Sequence, residues 1–565
     1  MLAGSALCAA LYVSPLLQGP WDFILCWDDA VNFMEHEAIQ VLDWPHLRSM
    51  FASIRINVHE PMATLLKAVV IHMWGLNSEA VRLVSLVLHG VTAFVLWAAS
   101  TNLVTLTTQT DPSRASFGCA ISSLIFFIHP LHVEVVAWPS AQPYTLALCF
   151  TSMAFLLHTW TISRFMTSVK SLQLTTRDYF DYFATTVLYA CAALSKSIAV
   201  PVPVGIVLMD MVVYLQYWRS MAPLSRRFML QYCIANMGFL AVGSFVMWSM
   251  HTANRGGADW FADPLCIPFR ERLAKLPVML THMGGQLLWP SDLRPHYQIR
   301  PGEMDPATNP TCILGMIFFV LVTAGVMRIA STQPAFLAAW AYVIIMVLPV
   351  SGLVQHGIIT LTADRYAYFP SAVVVPLLGT AIAKLATSRS VTALTLLAVA
   401  LYAKLSAIQM ETWRSDETLW THSIRHDPSD WRVLDHMAEY YAKVGRADEG
   451  LPYWELSLIH LPTGGLKTRL QQAKLLMFLR RYDEGCSIYQ SLLGESPQSI
   501  QVLNNMAICY LLADNLELGK AMMKQAISVG IDFSGERSND ATPSINLEQL
   551  EHWDSSKNFQ AQLMW

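Results

Sequence analysis

The first 410 positions alternate between apolar runs and polar connections. About 20 consecutive apolar residues allow an α-helix to cross a bilayer. Runs of that kind fall at 2–20, 79–100, 116–134, 140–162, 179–196, 199–217, 228–250, 311–329, 334–355, 366–385 and 391–410, which predicts about 11 spans. Two long polar connections interrupt them, 21–78 and 251–310, and each contains one apolar stretch, at 61–75 and 273–289. The second stretch suits a helix lying in the membrane interface. The run at 2–20 has neither a basic flank nor a small-residue cleavage site and is read as a retained helix rather than a signal peptide.

After residue 410 charge rises and a new period appears. Ala438, Ala473 and Ala507 are 35 and 34 residues apart, and Gly450, Gly485 and Gly519 keep the same spacings. Pro428, Pro462 and Pro497 follow at 34 and 35. Small residues where two helices cross, at a period of about 34, form the tetratricopeptide pattern. Three repeats after a half-repeat around Trp413–Pro428 predict an α-solenoid over 411–534, followed by a polar tail at 535–565. Such arrays bind extended peptides; the alternative is a short cap that stabilises the membrane part.

Composition narrows the class. Hydrophobic residues make up 54% and charged residues 14%, against about a quarter charged in soluble domains. The expected fold is all-α: a polytopic membrane bundle, 1–410, followed by the solenoid. A net charge of -4 without a basic block excludes nucleic acid as a partner. The ten cysteines contain no CxxC pair, so neither a metal cluster nor a disulfide framework is expected. Pairing of Cys266 with Cys312, across the second long connection, stays open. Arg114, Arg164, Lys170, Arg177, Arg219, Arg226, Arg227, Arg328, Lys384 and Arg389 fall in alternate connections, and the short opposite ones hold only Lys196 and Arg365. By the positive-inside rule, 21–78, 251–310 and everything after 410 face away from the cytosol.

On that side stand Asp28 and Asp29; His59 and Glu60; His129, His132 and Glu134; Lys196; and Asp364, Arg365 and Tyr366. Helix ends in a bundle gather such residues. The set suits transfer from a lipid phosphate. Arg and Lys hold phosphate, a carboxylate serves as general base, and cations stabilise the departing charge. Each residue also has a plainer role. Asp28 and Asp29 mark the water side of a span. Asp364 and Arg365 pair locally at a helix end. Lys196 snorkels to the interface. His59 and Glu60 make an interfacial contact. His129 and His132 bind a divalent metal, or His129 fixes its turn; the i, i+3 spacing does not favour metal, and no metal site is assigned. Asp210 and Lys404 stand isolated near span ends, which argues against a transporter.

The motifs WDD (27–29), NVHEP (57–61), FFIHPLHVEVVAW (126–138), PVSGLVQHG (349–357), ADRYAYFPS (363–371) and WRSDETLW (413–420), with Lys196 between them and repeats after them, carry a resemblance. In these, and in their order to about residue 530, the chain resembles the transmembrane and tetratricopeptide-repeat O-mannosyltransferases and their bacterial relatives, of the GT-C class. The resemblance implies a GT-C-type bundle with lumenal repeats in the endoplasmic-reticulum membrane, or periplasmic repeats on a prokaryotic plasma membrane. It implies a dolichyl-phosphate-mannose donor and transfer, with inversion, to Ser or Thr hydroxyls of secretory proteins docked on the repeats. Asp28 or Asp29 would supply the base. His129, Lys196 and Arg365 match positions near the donor phosphate, with His132, Glu134, Asp364, Tyr366 and His59 around them. No cofactor beyond the lipid-linked donor is implied. Residues 139–147, PSAQPYTLA, lack the charges that relatives often carry there, which leaves a non-catalytic scaffold with partner-binding repeats as the alternative.

Overall fold

Asn77, Asp111, Thr175 and Asn309 open the helices Ser78–Thr108, Pro112–Phe127, Thr176–Ser195 and Pro310–Ile329. Each side chain accepts a hydrogen bond from the first helical turn, whose amides have no partner within the helix. Pro112 and Pro310 follow their caps directly, where a missing amide costs nothing. The structure, a computed structural model, describes residues 14–52, 58–167, 174–217, 226–255, 267–354, 360–385, 389–462, 466–513 and 515–529. Among them no strand forms, and Gln298 and Thr360 make one isolated bridge. The chain divides into two compact units, one ending at His426 and the other running on from Asp427.

In the first unit, seven of the described helices are long and apolar enough to cross a membrane, or up to eight if the bent pair Pro112–Phe127 and Pro130–Ala137 is one span. The hydropathy pattern asks for more over the same residues. Thr176–Ser195 falls short because Arg177, Asp178 and Asp181 crowd its first turns. Pro334–Val347 has only 14 residues before the chain tightens into a 3₁₀ turn. Most of the run at 2–20, together with Cys266 and the tail, lies outside the described residues.

The 21–78 connection is not an open loop. It forms helices Trp44–Ala52 and Pro61–Trp74. Phe23, Phe33, Ile39, Met50, Ala68 and Ile71 bury one another there, a small core that holds the loop around Asp28 in place. The apolar stretch at 273–289 becomes the helix Phe269–Leu288. Its Met279, Leu280 and Met283 pack on Leu131, Val347 and Ala367.

The run at 116–134 does not continue straight. It breaks after Phe127 and turns by 55°. Residues 128–141 then run as a buried connection. A buried loop must satisfy its carbonyls, and side chains from other helices do so here. Ser406 donates to Ile128 O at 2.7 Å and Arg82 Nε to Ala137 O at 2.6 Å. Within the helix Pro112–Phe127 itself, Gly118 meets the helix Val374–Leu385 so closely that a Cβ would collide with the Gly379 carbonyl.

The second unit contains three helical hairpins: Trp431–Lys443 with Ala447–His460, Leu466–Phe478 with Tyr482–Glu495, and Ile500–Leu512 with Leu516–Val529. One close approach recurs in each. A Cβ on Gly450 would lie 2.9 Å from Ala438 O, on Gly485 3.1 Å from Ala473 O, and on Gly519 3.2 Å from Ala507 O. The paired Ala and Gly periods are therefore the points where the two helices of a hairpin touch. Cys486 and Cys509 form a disulfide between the second and third hairpins, a pairing not read from the sequence. Cys312 is free and buried.

Candidate functional site

Two motif segments far apart in the chain are bolted together. The Arg365 amide donates to Glu134 Oε2 at 2.7 Å, and its guanidinium donates to Glu134 Oε1. His132 lies 2.9 Å from the Ser371 hydroxyl, and its Nδ1–H donates to Phe126 O at 2.7 Å. His89 donates from Nε2 to Phe127 O at 2.9 Å and accepts from the Tyr368 hydroxyl at 2.8 Å. These bonds join segment 363–371 to segment 126–134. They run against the plainer of the two readings of this segment, in which Asp364 and Arg365 pair with each other. Asp364 instead receives the Tyr297 hydroxyl at 2.7 Å.

The histidines are committed to the fold. His129 Nδ1 accepts from the Leu131 amide at 3.2 Å, so its proton sits on Nε2 and goes to Leu287 O at 2.9 Å. It caps the turn Pro130–His132, the plainer of its two readings. Among the described residues no group of three or more His, Cys, Asp or Glu is placed to hold a metal ion. His59 reaches Phe51 O at 2.9 Å and Ser249 Oγ at 2.7 Å, tying the first connection to the helix Arg226–Arg255. Asp210 is not isolated: His158 lies at 2.8 Å and the Tyr232 hydroxyl at 2.6 Å.

Asp28 and Asp29 differ sharply. Asp29 is fully buried; it receives the Ile24 amide at 2.8 Å, the Ser140 amide at 2.9 Å and the Ser140 hydroxyl. Burial pushes it up to about 6, while the bonds from Ser140 and Ile24 and the Arg82 charge pull the other way. Asp28 is only half-buried. Arg82 braces the surroundings through Asp22 O at 2.7 Å and Trp413 O at 3.2 Å as well as Ala137 O.

Around the acidic pair the structure gathers cations. Lys196 does not snorkel: its ammonium donates to Glu60 Oε1 at 2.6 Å and lies 5.1 Å from the Tyr144 ring centre. Burial opposes its charge, but Glu60 holds it above the usual lysine range. Arg365 is within its electrostatic reach. Arg365 itself stacks between Trp138 at 5.1 Å and Tyr366 at 5.0 Å. Trp138 in turn meets the edge of Trp27, next to Asp28, with ring centres 6.1 Å apart. The buried indole N–H of Trp138 has no acceptor among the described residues.

Lys67 completes the cluster and was missed in the sequence. It is 5% exposed, and its ammonium donates to Asn32 Oδ1 at 2.9 Å. Asn32 donates to Ser140 Oγ at 3.1 Å, which leads back to Asp29. Burial pushes Lys67 down to about 8; Glu60, Asp29 and Asp28 oppose the shift and Lys196 adds to it. Its signal was present: one lysine alone in the apolar stretch 61–75 is costly unless partnered. Ser140, Asn32 and Arg82 left no such signal. Asp28, Glu60, Lys67, Trp138, Tyr144, Lys196 and Arg365 thus form one continuous polar and aromatic cluster.

No family model and no curated protein matches the sequence. One solved structure, the oligosaccharyltransferase of Archaeoglobus fulgidus in complex with zinc and sulfate, is similar at 12% identity over 85% of this chain and 56% of its own, with a TM-score of 0.27. The chain thus spans little more than half the length of that protein.

Proposed function

We propose that the chain is a membrane glycosyltransferase of the GT-C class that moves a sugar, mannose by its motif resemblance, from a dolichyl-phosphate carrier to a Ser or Thr hydroxyl. The observation that carries the reading is the contrast within the acidic pair. Asp29 is fully buried and accepts three hydrogen bonds from the loop and Ser140, whereas Asp28 is half-buried and within electrostatic reach of Lys67, so Asp28 is assigned the general base. Asp28 takes the hydroxyl proton as that oxygen attacks the anomeric carbon from the face opposite the phosphate. The bond from that carbon to the phosphate oxygen breaks, and the configuration inverts. The phosphodiester leaves as a monoester with one more negative charge, while Asp28 loses one. The charge of the site is therefore constant, and Lys196 and Arg365 need only follow the charge as it moves.

Lys196 and Arg365 each hold a carboxylate and still have donors to spare: an ammonium has three N–H groups and a guanidinium five. Glu60 and Glu134 act as braces that fix these cations in place. Trp27 and Tyr366, both partly exposed, offer rings for the sugar, and the buried Trp138 backs Arg365. The Cys486–Cys509 bridge supports an oxidising surrounding for the hairpin unit, as in the lumen of the endoplasmic reticulum or the periplasm. That unit is the part we assign to holding the acceptor polypeptide. The test is transfer from radiolabelled dolichyl-phosphate mannose to a Ser/Thr-rich acceptor in membranes that contain the protein. Loss of transfer in Asp28→Asn at unchanged protein level supports the reading. Inertness of the wild type with both mannose and glucose donors overturns it in favour of a scaffold.

A further inference from the structure

The helix Phe269–Leu288 carries the buried Lys275 and, one turn earlier, the half-buried Arg272, whose guanidinium lies 5.4 Å from the Phe269 ring centre. Lys275 is 4% exposed, and among the described residues no acceptor and no carboxylate reaches its ammonium. Glu271, one turn earlier and also buried, forms no ion pair with it among those residues. Arg272 donates from Nη1 to Leu353 O at 2.9 Å, but its buried Nε has no partner among them.

Both cations border the turn at Ser351–Leu353, which is held by its own bonds. Ser351 Oγ donates to Leu348 O at 2.7 Å and accepts from the Leu353 amide at 3.3 Å. Gly352 has φ +76°, and a Cβ there would stand 2.8 Å from Lys275 Nζ. The glycine therefore both permits the turn and leaves room for the ammonium.

A buried ammonium without a counter-charge is costly, and such charges are normally paired. Burial pushes Lys275 down to about 8, so at neutral pH it is still mostly charged. An anion is the partner that the arrangement lacks. The surroundings indicate where that anion comes from. On the same helix and just beyond it, Phe269, Leu273, Leu288 and Trp289 are 59, 51, 77 and 67% exposed. Large apolar side chains with a terminal Trp suit the boundary between headgroups and acyl chains. At that depth the abundant anion is a lipid phosphate.

We propose that Lys275, Arg272 and the Gly352 turn bind the phosphate group of a membrane lipid. Arg272 supplies a planar donor fork and Lys275 a point charge. The site is distinct from Lys196 and Arg365, whose cations already hold Glu60 and Glu134. It does not depend on sugar transfer.

The experiment is native mass spectrometry of the full-length chain in maltoside micelles, titrated in turn with phosphatidic acid, dolichyl phosphate and inorganic phosphate. Wild type is expected to bind phosphatidic acid, and both Lys275→Met and Arg272→Gln to bind it about tenfold more weakly, while dolichyl phosphate, which Lys196 and Arg365 also hold, keeps at least one bound molecule in every variant. Lys275→Met removes a buried charge, so its melting temperature is expected to stay level or rise, which separates lost binding from lost folding. Binding of inorganic phosphate as tightly as the lipids would overturn the lipid assignment. Wild-type affinity for phosphatidic acid in Lys275→Met would overturn the site.

Discussion

Ser140 binds Asp29 twice, through its amide at 2.9 Å and through its hydroxyl, both to the same carboxylate oxygen. Those bonds join the first connection to the start of the span that runs to Phe165. Truncation of Asp29 leaves three buried donors without an acceptor. Each unsatisfied group costs about 1–3 kcal/mol. Asp29→Ala is therefore expected to lower stability by at least ~2 kcal/mol, read as a fall in melting temperature in detergent. Asp28→Asn, at a half-buried position, is expected to leave it nearly unchanged.

The same carboxyl sets a pH dependence. Its folded value of about 6 lies above the ordinary aspartate value of 3.8. Between those two values the folded chain holds the proton more tightly than the unfolded chain. The contribution of Asp29 to stability is therefore greatest below about 3.8 and declines as pH rises towards 6. Melting curves of wild type and Asp29→Asn between pH 4 and 7 are expected to differ in slope, with the steeper decline on rising pH in the wild type.

Glu134 is buried against Arg365. Removing one partner of such a pair strands the other charge, at a cost of about 3–5 kcal/mol. Glu134→Gln is expected to destabilise the protein by that order and to reduce transfer further than the loss of folded protein explains. Glu60→Gln, which frees the more exposed Lys196, is expected to destabilise less and to raise the donor KM. The check is a melting temperature measured beside a donor titration.

The Cys486–Cys509 bridge closes a loop between the second and third hairpins. Bridges of this kind stabilise by about 2–4 kcal/mol. Cys486→Ser with Cys509→Ser is expected to speed proteolysis of the segment after Asp427 and to leave the membrane unit resistant, as a time course of limited digestion would show.

Helix positions in the membrane unit were legible because apolar runs of span length have few other uses. The count was less so. The run at 179–196 is apolar on average but charged at its start, and Pro334–Val347 is cut short by a proline-containing turn. Members of the candidate cluster were legible where a charged residue stands at a helix end, as with Lys196 and Arg365. They were illegible where polar side chains serve distant backbone. Arg82, Ser140 and Ser406 satisfy carbonyls or carboxylates more than 50 positions away. No local pattern announces such a bond. The partners of Arg365 and Lys196, Glu134 and Glu60, were visible only as nearby members of the same set.

The most direct test is the rate of sugar transfer by Asp28→Asn in membranes, normalised to folded protein and set beside Asp29→Asn. Loss of a general base costs about 10²–10⁴-fold. The account predicts a loss of that size in Asp28→Asn, and residual transfer within about tenfold of wild type per folded molecule in Asp29→Asn, which leaves the general base in place. Wild-type transfer in Asp28→Asn would contradict it.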